Sequence, residues 1–114
     1  MTEAKPPKVS FHDATLESVR TSGNDITFFV VDARTQEGLP CSPRVILQQV
    51  ISFKADGEFV DGFVMEARDA EILAFDWRAD GIAMTLEWND WEPHHQFVRS
   101  YEIRARGVQI DVSN

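Results

Sequence analysis

Alternation of apolar and polar residues with a period of two is the feature that most restricts how this chain folds. Its clearest instance is "AEILAFDWRADGIAMTLEWND", residues 70–90. Such alternation belongs to strands with one buried face, because successive side chains of a strand point to opposite sides of the sheet. Asp80-Gly81 is a dipeptide favoured in two-residue hairpin turns, since both positions tolerate positive φ. A turn there sets Trp77 against Met84, Phe75 against Leu86 and Leu73 against Trp88. Directly opposed residues share a face, so this register gathers six large apolar side chains on one side. Asp76, Thr85, Glu87 and Asn89 fall on the other side with Ile72 and Ala74. If the apolar face is core, truncating Trp77 or Leu86 to Ala costs about 3 kcal/mol.

"YEIRARGVQIDV" reads in the same way. A turn at Arg106-Gly107 pairs Ala105 with Val108, Ile103 with Ile110 and Tyr101 with Val112. Residues 70–112 then form a four-stranded antiparallel meander, with "EPHHQ" joining its second and third strands. Towards the amino end, "ATLESVRT" and "ITFFVVDA" flank the turn signal Ser22-Gly23-Asn24-Asp25. Leu16 and Val19 are three apart and share a face only across a bulge. "RVILQQVISF" is open to two readings. Ser42-Pro43 resembles a helix start, whereas the β-branched content and the following Asp56-Gly57 favour a strand. The expected fold is all-β: a small antiparallel barrel or sandwich of seven to eight strands, with at most one short helix.

At 114 residues the chain has the size of one domain. Pro6 and Pro7 mark residues 1–8 as a short tail, leaving 9–114 as a single β-rich domain. Cys41 is the lone cysteine and forms no internal disulfide, which fits a reducing cytoplasm. The amino terminus carries no apolar run of the secretory type, and no stretch approaches the ~18 apolar residues of a membrane span.

Net charge is −8, unevenly placed. Between Asp56 and Glu92, eleven acids face only Arg68 and Arg78, a balance of −9; the remainder holds eight acids and nine bases, or +1. Phosphate recognition needs clustered Lys and Arg, and no such stripe is visible, so nucleic acid and anionic membranes are excluded as expected partners.

The candidate sites are sparse. His94 and His95 are adjacent, a poor spacing for chelating one ion, and read as a hydrated loop without metal. His12-Asp13 could orient an imidazole as a general base, but Asp13 reads better as a turn residue. Cys41, between Pro40 and Pro43, reads as a loop thiol with nothing local to activate it. "DGEFVDG" lacks the ligand spacing of a calcium loop and reads as a turn. Asp76 and Glu87 share the outward hairpin face. Asp90, Trp91 and Glu92 follow at the end of the same ribbon, where an aromatic anchor within an acidic rim suits a binding surface. No cofactor is implied.

"FHDATLESV" resembles the opening of a loose group of small bacterial domains that begin with a His-Asp-x-x-Leu-x-x-Val/Ile motif. Some members of that group look like immunity proteins of bacterial toxin systems. The match rests on His12, Asp13, Leu16 and Val19, with "LEWND" in support. The resemblance implies a β-rich fold and no established catalytic residues. Together these features lead to the expectation of a small acidic cytosolic binding protein, an immunity-like or regulatory partner of a basic protein. A ligand-binding β-barrel lined by the inward aromatics is the alternative, and a metal-dependent hydrolase using His12, His94 and nearby acids stands behind it.

Overall fold

A computed structural model of the chain describes residues 9–89 and 96–113. Every regular element among them is a strand: β1 (Val9–Ser10), β2 (Thr15–Ser22), β3 (Asp25–Val31), β4 (Ala33–Thr35), β5 (Pro40–Ala55), β6 (Glu58–Val60), β7 (Asp69–Arg78), β8 (Gly81–Asn89) and β9 (Gln96–Ser113). All pairings are antiparallel. The two longest strands, β5 and β9, pair along most of their length and close the sheet into a ring running β5, β3, β2, β7, β8, β9 and back to β5. Beside this ring, β1 and β4 extend the sheet from one part of β5, and β6 pairs with its end. Residues 44–54 are strand, as their β-branched content favours. No helix among the described residues is long and apolar enough to cross a membrane.

One apolar cluster fills the ring. Trp88, Phe28, Leu16, Leu47, Ile72, Ile82, Leu86 and Ile103 are each less than 2 % exposed. A ring this small is filled by its own side chains. Phe63, from the segment joining β6 to β7, packs against Phe28, Tyr101 and Trp88, with ring centroids 5.0, 5.1 and 6.0 Å away.

The β7–β8 hairpin departs from the register expected of it. The two-residue loop is Ala79-Asp80, and Gly81 opens β8 opposite Arg78. Trp77 therefore faces Ile82, and Phe75 faces Met84. The ladder then slips at Leu73, and Ile72 faces Leu86 while Ala70 faces Trp88. Ile72, placed outward by the sequence pattern, is buried, and Leu73 is only half-buried. Gly81 explains the shift in the turn. A Cβ at this position would overlap the carbonyl oxygen of Ile103 on β9, so the glycine serves the close approach of two strands.

The fourth strand of the expected meander does not exist, because β9 runs unbroken through Arg106-Gly107. The inward positions do change phase there, from Tyr101, Ile103 and Ala105 to Val108 and Ile110. Its partner β5 changes phase at the same level, from Val45 and Leu47 to Val50, through Gln49 at φ 52°. The two strands bend together where a turn was expected. Gly107 makes room for Gln48, whose Oε1 would lie 2.7 Å from an added Cβ. The bend is held by the β2–β3 turn: Asn24 O accepts from Val50 N–H at 2.8 Å, and Asp25 Oδ1 accepts from Gln49 N–H at 2.9 Å.

Other local readings fit. Gly23-Asn24 forms the β2–β3 loop, and β2 bulges between Leu16 and Ser18 as the Leu16/Val19 spacing requires. Asp56-Gly57 makes the β5–β6 turn with both φ values positive, at 52° and 84°. Cys41 differs from its reading as a loop thiol. It lies in β5 opposite Ala33, is buried, and burial pushes its thiol up. Pro40 opens the strand, and Pro43 stands between the stretches paired with β4 and β3, so neither interrupts that edge.

Candidate acidic binding face

The outer face of β7 and β8 gathers four carboxylates with no Lys or Arg ion pair among the described residues. Among the described residues, arginines within 4 Å engage five acids. Arg99 holds Asp56 and Glu66, Arg104 holds Asp80, Arg78 holds Glu102 and Arg44 holds Asp111. Asp69, Glu71, Asp76 and Glu87 have no Lys or Arg partner at that distance among the described residues. The acidic segment 56–92 is thus divided by the fold. Asp56, Glu66 and Asp80 support strand contacts, Asp69, Glu71, Asp76 and Glu87 share one sheet face, and Glu58 and Asp61 belong to β6 and the segment after it.

On that face Glu71 and Glu87 are direct cross-strand partners, and Asp76 lies opposite Ala83 further along the ribbon. Beyond Glu87, β9 contributes Val98, which is 51 % exposed. A fifth carboxylate arrives from outside the hairpin. The turn between β1 and β2 places His12 and Asp13 against the Leu73 bulge. Asp13 N–H donates to Ile72 O at 2.9 Å, and His12 Nδ1 lies 3.1 Å from Leu73 O. Asp13 adopts φ 66°, a left-handed conformation that Asp tolerates better than most residues, so its reading as a turn residue fits. The hydrogen bond with Asp13 is the main influence holding the Glu71 carboxyl above its ordinary value; burial and the charges of Asp13 and Glu87 add to it.

Of the expected site residues, Asp76 and Glu87 therefore lie on one outward face. Asp90, Trp91 and Glu92 lie outside the described residues, as do His94 and His95. Sequence reasoning missed the partnership of Asp13 and Glu71. Only the bulge at Leu73 and the docked turn bring these residues together, and neither has a signature in the local pattern. The imidazole of His12 is exposed, with Nε2 3.7 Å from Asp13 Oδ2. No group of three His, Cys, Asp or Glu among the described residues is arranged to hold a metal ion.

A second polar cluster has a structural part. Trp88 Nε1 donates to the Tyr101 hydroxyl at 2.9 Å, and that hydroxyl donates to Glu66 Oε2 at 2.8 Å. Arg99 Nε closes on Glu66 at 2.6 Å, and its guanidinium reaches Asp56 at 3.1 Å. Asp56 Oδ1 accepts from Ser100 N–H, tying the β5–β6 turn to β9. Burial and the Glu66 contact push the Tyr101 hydroxyl up, outweighing the Trp88 donor, and Glu66 chiefly holds Arg99 above its ordinary value. Tyr101→Phe is expected to cost about 1–3 kcal/mol in urea unfolding, because it strands the buried Trp88 N–H without an acceptor.

A groove of about 360 Å³ lies between the β2–β3 turn and β6, lined among others by Asn24, Ile51, Ser52, Val60 and Asp61. It lies away from the β7–β8 carboxylates; Phe53 and Phe63 reach its wall, while Phe28, Trp88 and Tyr101 pack against Phe63 and are not part of its lining. The class these features define is an all-β protein with a ring-closed antiparallel sheet and an acidic outer ribbon. No protein-family model matches the chain, and the searches of curated proteins and of solved structures find no match either.

Proposed function

We propose that this protein acts by binding and not by catalysis, as an immunity-like or regulatory partner of a basic protein that docks on the outer face of β7 and β8. The observation that carries this reading is the opposition of Glu71 and Glu87 with Asp13 beside them. Like charges directly opposed on a sheet disfavour the fold. A cationic partner relieves that repulsion, so complex formation gains what the free protein loses. Asp76 extends the acidic field along the ribbon, and Val98 offers an apolar contact next to it. The lone buried thiol of Cys41 is in keeping with a cytoplasmic setting. The competing role for these acids is solubility alone.

An arginine-rich peptide serves as a probe that separates the two. Amide shifts on titration are expected to concentrate at residues 71–76 and 83–87. The triple variant Asp76→Asn, Glu71→Gln, Glu87→Gln is expected to bind roughly tenfold more weakly at low salt, with the difference fading at high salt. Shifts spread evenly over the acidic surface, or equal binding by the variant, assign these carboxylates to solubility.

A further inference from the structure

We propose that the open edge of β7 takes up an extended segment of the basic partner as an added strand, with basic and apolar residues alternating along it. This deepens the binding role proposed above and rests on it. β7 is joined to β8 along nearly its whole length, but to β2 only through Glu71 and Ala70. The docked turn carries that second side as far as Ile72, whose N–H donates to Ala14 O at 2.7 Å. From Ala74 to Arg78, no strand other than β8 pairs with it among the described residues. In an antiparallel ladder, alternate residues turn both backbone groups away from the partner strand. This stretch of β7 therefore presents unpaired donors and acceptors. β1 takes β4 as its own partner and faces the edge of β7 across a groove of about 410 Å³, lined by residues 9–12 and 75–77.

The pleat decides what such a strand carries. Phe75 and Trp77 are half-buried on one side, where Phe75 stacks on Phe11 with ring centroids 4.3 Å apart. Ala74, Asp76 and Arg78 point to the other side and are exposed. Arg78 already pairs with Glu102, which leaves Asp76 as the carboxylate beside the groove. An added strand sets apolar side chains next to Phe75 and Trp77 and basic ones next to Asp76. The buried Nε1 of Trp77 has no acceptor among the described residues, and the carbonyls of an added strand bring acceptors to this wall of the groove. Backbone pairing gives the contact its geometry, and Asp76 gives it a preference for cations.

A peptide of alternating arginine and valine, added to the full chain, is the probe. Within residues 74–78, the alternate amides that turn away from β8 are expected to exchange several-fold more slowly once it binds, because they gain acceptors. Two further peptides carry N-methyl groups, one on every arginine amide and the other on every valine amide. In an extended strand all the arginine N–H groups point to one edge and all the valine N–H groups to the other. One methylated peptide is therefore expected to bind about tenfold more weakly than the other. Equal binding by the two, or no added protection at residues 74–78, overturns strand addition and leaves docking by charge alone in place. Protection of the outward amides in the free chain, from its own residues or from a second copy, also overturns it. Failure of all three peptides to bind at low salt removes strand addition and the acidic docking face together.

Discussion

Gly81→Ala is expected to cost about 3 kcal/mol or more, a large share of the 5–15 kcal/mol that typically holds a domain together. Two effects add at this position. Its φ of 155° lies in a region that residues with a Cβ rarely enter. The added carbon would also overlap Ile103 O and sit 2.9 Å from Arg104 Cα. Both obstacles are backbone atoms, so no side-chain rotation relieves them, and β8 must part from β9. The same site anchors the turn, where Ala105 N–H donates to Asp80 O at 2.9 Å and Arg104 Nε donates to the Asp80 carboxylate at 3.2 Å. Urea unfolding followed by tryptophan fluorescence measures the cost. Gly38→Ala is the control: φ there is 84° but no atom lies within 4 Å, so about 1 kcal/mol of backbone strain is expected. Equal losses in the two variants would show that strand approach at Gly81 is not the constraint.

Trp88→Ala is expected to cost about 4 kcal/mol, near the upper range for truncating a fully buried aromatic. Its side chain is inaccessible to solvent, packs beside Phe63, and gives its N–H to Tyr101. Trp88→Phe keeps most of the volume and is expected to lose about 1–2 kcal/mol, while Tyr101 retains its bond to Glu66. The alternating pattern gives Trp77 the same weight, but the structure ranks it lower. Trp77 is only half-buried, and its buried Nε1 has no hydrogen-bond partner among the described residues, so truncation removes no bond. A larger loss for Trp77→Ala than for Trp88→Ala would reverse this account of the core.

The two Asp-Gly dipeptides separate what local chemistry decides from what it cannot. At Asp56-Gly57 both residues take positive φ and turn the chain, as their intrinsic freedom allows. At Asp80-Gly81 the same pair is displaced, because β9 passes so close to β8 that only glycine fits at position 81. The phase change at Gly107 shows the same limit. A pattern that switches its inward positions signals a break in regular pleating, and a hairpin is the local solution. Here β5 bends at Gln49 alongside it, so the break becomes a shared kink in two long paired strands.

Alternation, turn residues and apolar spacing by themselves determined the all-β class, the β2–β3 and β5–β6 turns, the bulge in β2 and the outward direction of Asp76 and Glu87. Each depends on residues close in sequence, where strand periodicity and intrinsic φ preferences act. Ring closure through β5 and β9, the slip at Leu73 and the meeting of Asp13 with Glu71 were decided only by the tertiary structure. They depend on which strands become neighbours and how closely their backbones approach, and that choice is made by packing of the whole core.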